Sequence, residues 1–304
     1  MTKRFYALLA LSLCVQPATS AHPPPDYIRY AEGRQNARLE IAIRTFTLPS
    51  GQTVDLVGVV HIADAAYYAE LNRRFTGYDS VLFEMVGDPS GMTRPSEEDT
   101  QALQGGGTVS TIQRAASKYL NLSYQLSAID YTAKNMVHAD VSAREFAQMQ
   151  AERGENVMTL FVRAMQAQMG SQMNRTAMNE LDTFGLIRIL MSPDSAAEFK
   201  KSLAKVFDQM ESMTVAMEGE QGSAVLSGRN DVVMKKVKEV LAHKNQRRIA
   251  VFYGGAHMPG IETALIGELD ARPTGEEWLA AWTMPKAAKP KKPKTPPADT
   301  TPAP

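Results

Sequence analysis

Residues 53–84, TVDLVGVVHIADAAYYAELNRRFTGYDSVLFE, decide the fold. Thr53 to Val60 is an apolar, β-branched run that reads as a strand. Asp64 to Phe75 is amphipathic, with Asp64 placed as an N-cap, and Ser80 to Val86 is a second short apolar strand. Strand, helix, strand in so short a span is a βαβ unit, whose two strands lie parallel on one sheet.

Upstream, Arg38 to Leu48 alternates as a strand, and Pro49-Ser50-Gly51-Gln52 turns it back into the strand at Thr53. Downstream, Thr108 to Leu120 reads as helix and Tyr124 to Asp130 as strand. Ser142 to Gly219 is rich in helix formers and short of β-branched runs. Asp231 to His243 is helical, Arg248 to Tyr253 is a buried strand, and Pro259 opens a helix that runs to Leu269. The expected fold class is α/β, a mixed sheet flanked by helices, with a helical insertion at about 140–220 between its two halves. No solenoid repeat is present.

The termini read differently. Lys3 and Arg4, an apolar run from Phe5 to Val15, and a small-residue exit ending Ser20-Ala21 describe a signal peptide over 1–21. Lipidation at Cys14 has the wrong approach, because Leu11-Ser12-Leu13 sets a bulky Leu where such sites want a small residue. Residues 22–36 read as a Pro-rich linker, 37–284 as one domain, and 285–304 as a disordered Lys/Pro-rich tail. The expected location is periplasmic or secreted, and no later stretch is apolar enough to span a bilayer. Cys14 is the sole cysteine, so removal of the leader excludes thiol, disulfide and Cys-metal chemistry. The chain is net neutral; the leader carries +2 and the tail +4, which leaves −6 on the body. An acidic body argues against a nucleic-acid partner.

The chemistry-bearing residues collect at strand ends. Gly58-Val59-Val60-His61 closes one strand and Gly254-Gly255-Ala256-His257 follows another. Ligands of open α/β sheets bind at the carboxyl ends of strands, beside helix N-termini. Glu84 ends the strand that follows the His61 helix, where a buried carboxylate needs a partner or a metal. Arg229, in Ser227-Gly228-Arg229-Asn230-Asp231, precedes a helix and has the charge to hold Glu84 or a reacting oxyanion. Each residue singly has a structural alternative: a hydrogen-bonded strand-end His, or a Glu84–Arg229 scaffold pair. Two His and one carboxylate are also a recurrent divalent-metal set, so His61, Glu84 and His257 are the candidate ligands.

Asp130, His138, Asp140 and Asn230 are secondary candidates; Asp140 or Ser142 also suits a helix cap. Met165, Met169 and Met173, and again Met210, Met213 and Met217, form helical stripes. They read as helix–helix packing before soft-metal ligands or a peptide groove.

At these residues the chain resembles the TraB/GumN/Tiki family, which is related to the erythromycin-esterase and ChaN-like proteins. The matching stretches are Val57 to Ile62, Val81 to Met85, Arg229 to Met234 and Val251 to Gly260. The resemblance covers the α/β frame, roughly 40–135 and 222–270, and not the helical insertion. It implies one pocket around His61, Glu84, Arg229 and His257, and, from the Tiki members, metal-dependent proteolysis. The expectation is therefore an exported hydrolase of peptide or acyl substrates. His61, Glu84 and His257 would hold Mn, Co or Zn, and Arg229 would face the oxyanion. A metal-free variant makes His61 the general base with Glu84 orienting it. A non-catalytic protein that sequesters a peptide, haem or a metal is the alternative from another class.

Overall fold

A computed structural model describes residues 26–91, 120, 122–155, 195–218 and 222–285. Its centre is a seven-stranded mixed sheet. The strands are β1 (Ile28–Glu32), β2 (Asn36–Thr47), β3 (Thr53–Val59), β5 (Ser80–Phe83), β7 (Met136–His138), β8 (Arg248–Gly254) and β9 (Arg272–Pro285). A separate two-stranded ribbon joins β4 (Ile62–Ala63) to β6 (Ser123–Tyr124). The helices are α1 (Ala65–Phe75), the single turn α2 (Gln125–Ala128), α3 (Ala143–Glu152), α4 (Ser195–Glu218), α5 (Ser227–Leu241) and α6 (Met258–Leu269).

The sheet has two halves. β2 is antiparallel to β1, β3 and β9. β9 runs along β2 from Asn36 to Thr47, so β1 (on Ala37–Ile41) and β3 (on Ile43–Thr47) must share the opposite edge. From β3 the sheet continues parallel through β8 and β5 to β7. The register aligns the ends of these four strands: Val59 lies across from Gly254, and Phe83 from both Phe252 and His138. That alignment collects the residues after each strand on one rim.

Period-2 alternation divides the core. From β8, Ala250 and Phe252 face one layer, with Tyr68 and Phe75 of α1 and Phe199 of α4. Ile249, Val251 and Tyr253 face the other, under Val233 and Val237 of α5 and Ile261 and Leu265 of α6. Residues 249–253 are all fully buried, as a central parallel strand covered on both faces must be.

The α/β class expected from the sequence is observed, and its detail is corrected at several elements, among them β7, since the sequence reading places no strand over Met136–His138. Residues 28–32, inside the expected linker, form β1. Its Gly255-facing Ile28 is buried, so the span is tied down by packing as well as by pairing. Tyr124 to Asp130 is not a strand: after two residues of β6 the chain closes a helical turn, with the Ile129 N–H donating to the Gln125 carbonyl at 3.0 Å. β9 had no sequence signal at all. Asp64 does sit at the N-cap of α1, but its side chain caps nothing there. It accepts instead from Lys200 Nζ at 2.6 Å and from the Thr283 N–H at 2.7 Å. The leader, the helix at 108–119, Met165, Met169, Met173 and the tail from 286 lie outside the described residues, as do the side chains of Met210, Met213 and Met217.

β9 also holds the turn that carries His61. Trp282 is fully buried, packs edge-to-face on Phe207, and donates its indole N–H to the Ile62 carbonyl at 2.6 Å. We expect Trp282→Ala to cost about 3–5 kcal/mol, the usual range for deleting a buried aromatic. Trp282→Phe, which keeps most of the packing and loses the hydrogen bond, should cost less. Urea denaturation of the two variants against wild type checks the order.

Candidate functional site

The rim where the parallel strands end carries a buried charged cluster. Glu84 follows β5, and its N–H donates to the Phe252 carbonyl at 3.1 Å, which sets it level with the end of β8. Its Oε2 accepts from the Gly254 N–H at 2.5 Å, and its Oε1 from Arg229 Nη2 at 2.6 Å. A Cβ on residue 254 would lie 3.2 Å from Oε2, so this glycine supplies space for the carboxylate rather than an unusual backbone angle.

Arg229, in the first turn of α5, spends its guanidinium inside the cluster. Nε and Nη2 donate to Asp140 at 2.9 and 2.5 Å, Nη2 also reaches Glu84, and Nη1 lies 3.3 Å from His257 Nε2. Asp140 lies two residues beyond the end of β7, with no exposed side-chain surface; Glu84, Arg229 and His257 are only 11%, 8% and 5% exposed. His257 Nδ1 sits 2.8 Å from Asn230 Oδ1, an acceptor, so Nδ1 carries the proton and Nε2 accepts from Arg229.

The electrostatics follow from this geometry. Burial opposes the charge on Glu84, but the pull of His257 in its protonated form, of Arg229 and of His61, with the Gly254 N–H, outweighs it and holds the carboxyl at about 2. His257 is pulled below its usual value, first by burial and further by Arg229, against the attraction of Glu84 and Asp140. At neutral pH it is therefore uncharged, and Arg229 is the permanent cation that keeps Glu84 ionised. Burial also opposes the charge on Arg229, and the hydrogen bond and charge of Asp140, with Glu84, more than restore it.

His61 stands at the edge of this cluster with an exposed ring. Its Nδ1 lies 3.0 Å from Gln125 Oε1, and Gln125 Nε2 donates to Tyr131 Oη at 3.0 Å. The structure thus brings Glu84, Arg229, His257, Asp140 and Asn230 into direct contact, with His61 alongside. Among the described residues, the bonds of Asp130 and His138 run elsewhere. Asp130 Oδ1 accepts from the N–H and hydroxyl of Thr132, and His138 Nε2 lies 2.7 Å from the Met85 carbonyl. Of the two proposed caps, Ser142 caps α3 in a full capping box with Glu145, which leaves Asp140 to Arg229. Gln125 and Tyr131 are the contact residues the sequence did not reveal; a lone Gln and a lone Tyr carry no spacing signal.

The candidate metal set can be tested on the same atoms. Both Glu84 oxygens and His257 Nε2 are engaged by Arg229 and Gly254, and among the described residues no group of three His, Cys, Asp or Glu is placed to hold a metal. His257 Nε2 and Glu84 Oε1 lie 3.5 Å apart and both bond to Arg229, so a divalent ion on His61, Glu84 and His257 would need Arg229 to move aside. Comparison with family models, with curated proteins and with solved structures gives no match, so the resemblance rests on the residues quoted above.

The two displaced groups make stability depend on pH in a determined direction. Glu84 is ionised more readily folded than unfolded, so its contribution is complete above its ordinary value of 4.5 and is lost as pH falls towards about 2. His257 binds its proton less readily folded, so its contribution is complete above 6.5 and declines as pH drops below that. Urea midpoints should fall between about pH 7 and 5 in wild type, and His257→Gln should flatten that segment. Arg229→Met should cost about 3–5 kcal/mol at neutral pH, because it strands two buried carboxylates. A cost below about 1 kcal/mol would show that the cluster is solvated in solution.

Proposed function

We propose that this rim is the active site of an exported hydrolase acting on peptide or other acyl substrates. The observation that carries the reading is an exposed imidazole, His61, set beside an ionised and almost fully buried carboxylate, Glu84. His61 Nε2 takes a proton from water as the water attacks the carbonyl carbon, and later returns it to the leaving group. Glu84 stabilises the imidazolium through space, and Arg229 with the Gly254 N–H keeps Glu84 ionised for that purpose. The N-terminal end of α6, directly after His257, directs partial positive charge towards the rim, where negative charge grows on the carbonyl oxygen. The resemblance to the TraB/GumN/Tiki family supports the same pocket.

One observation favours a second reading. With His257 neutral, Glu84, Asp140 and Arg229 together carry one net negative charge, which attracts a cation. If Arg229 turned aside, His61, Glu84 and His257 would be the residues to hold Mn, Co or Zn, and the ion would supply a Lewis acid.

The test is hydrolysis of p-nitrophenyl acetate and of a fluorogenic peptide library. His61→Ala and Glu84→Gln should each lower kcat/KM about 10²–10⁴-fold, the usual range for a general base, with the fold retained by circular dichroism. Activity that survives exhaustive chelation supports the metal-free site. Activity lost on chelation and restored by Mn, Co or Zn supports the second reading. No turnover of any substrate, with saturable binding of a peptide or haem abolished by His61→Ala, replaces both with a binding protein.

A further inference from the structure

We infer that Gln125 is a positioning residue that orients His61 and fixes its neutral ring as the Nδ1–H tautomer, leaving Nε2 as the working nitrogen. The inference rests on the reading of His61 as the residue that meets substrate. It holds whether Nε2 acts as a base or as a ligand.

Main chain and side chain both join the two residues. The ribbon pairs Ile62 with Tyr124 and Ala63 with Ser123, and the Gln125 N–H donates to the His61 carbonyl at 2.9 Å. Gln125 is only 2% exposed, and its amide is held at both ends: Oε1 to His61 Nδ1 and Nε2 to Tyr131 Oη, each at 3.0 Å. Tyr131 is itself buried, with its ring 4.9 Å from that of Phe83, the residue before Glu84. Its hydroxyl stays protonated, since burial raises its value and outweighs the hydrogen bond from Gln125. A buried amide clamped in this way cannot swing with solvent.

The chemistry follows from the acceptor. A carbonyl oxygen facing Nδ1 requires a proton there, so the lone pair of the neutral ring must sit on Nε2. The opposite setting of the amide would place an N–H against Nδ1, move the ring proton to Nε2 and leave no lone pair at the exposed edge. The same Oε1 also accepts from a doubly protonated ring, so a proton taken up at Nε2 meets no opposition from Gln125. The role is the one that carboxylates and carbonyls play behind working histidines elsewhere, filled here by an amide.

Long-range 1H–15N correlation spectra of the full chain with 15N-labelled histidine test this without any substrate, His61 being assigned by its loss in His61→Ala. The expected result is the Nδ1–H pattern in wild type and in Gln125→Glu, whose carboxylate accepts the same proton. A mixture of tautomers is expected in Gln125→Met. Tyr131→Phe, which removes only the outer anchor, should keep the Nδ1–H pattern. In p-nitrophenyl acetate hydrolysis, Gln125→Met should lower kcat about 10–10²-fold with KM within about twofold, and Gln125→Glu should restore it.

An Nε2–H pattern in wild type overturns the inference, as does a folded Gln125→Met with an unchanged pattern. If Gln125→Met fails to fold, wild type and Gln125→Glu still decide. The expected tautomer in a protein that hydrolyses nothing supports the positioning role and sinks the hydrolase reading alone.

Discussion

A carboxylate at the end of a central buried strand stays charged only if its neighbours replace the water it has lost, and here a guanidinium and a backbone N–H bond both of its oxygens. Arg229 touches Glu84, Asp140 and His257 at once. Each of the three comes from a different part of the chain: the ends of β5 and β7, and the turn after β8. The cluster therefore forms only when the parallel half of the sheet is in register and α5 has docked. Its stabilising value is modest, because desolvating these charges offsets most of their attraction. Its specificity is large: any slip in register would leave two carboxylates buried without a cation.

That dependence explains the glycines and the long antiparallel strands. Gly254 makes room for Glu84 and offers it an N–H, and a Cβ at Gly255 would come within 2.8 Å of Ile28. The Ile28 side chain of β1 packs so closely on the turn before His257 that a larger residue at 255 would push it aside. On the other side, β9 clasps β2 over its whole length and fastens the chain after His61 through Trp282 and Asp64. The antiparallel half acts as a brace for the two Gly-x-x-His turns.

The sequence disclosed those parts whose physics is local. The Gly-x-x-His turns, the strand-end Glu84 and Arg229, read as just before a helix and found in its first turn, all stood at positions where a βαβ pattern already implied a shared rim. Asp140 was legible only as a secondary candidate that could equally be a cap, because its partner is 89 residues away and nothing nearby distinguishes a cap from an ion pair. β9 was missed because Gly275, Glu276 and Glu277 are exposed and register shifts near Leu39/Glu40 and Thr45/Phe46 break its alternation. β1 and β7 span five and three residues, too few for a period to emerge. Gln125 was hidden twice, inside a segment whose alternation mimicked a strand and in a residue type without a chemical signature.

The division between His61 and the cluster behind it is the feature that ties the fold to chemistry. Glu84, Asp140, Arg229 and His257 are buried and mutually satisfied, so the cluster is rigid and its charge is fixed at neutral pH. A group that must gain and lose a proton or a ligand needs the opposite surroundings: solvent on one edge and a neutral partner on the other. His61 has both, an exposed ring and an amide. It stands between the end of β3 and the start of the small ribbon, whose pairing brings Gln125 against it. Electrostatic preorganisation asks for this arrangement, in which fixed charges precede the reaction and only one group changes state. On the hydrolase reading proposed above, the buried cluster is the field in which His61 acts, and His61 is the residue that meets the substrate.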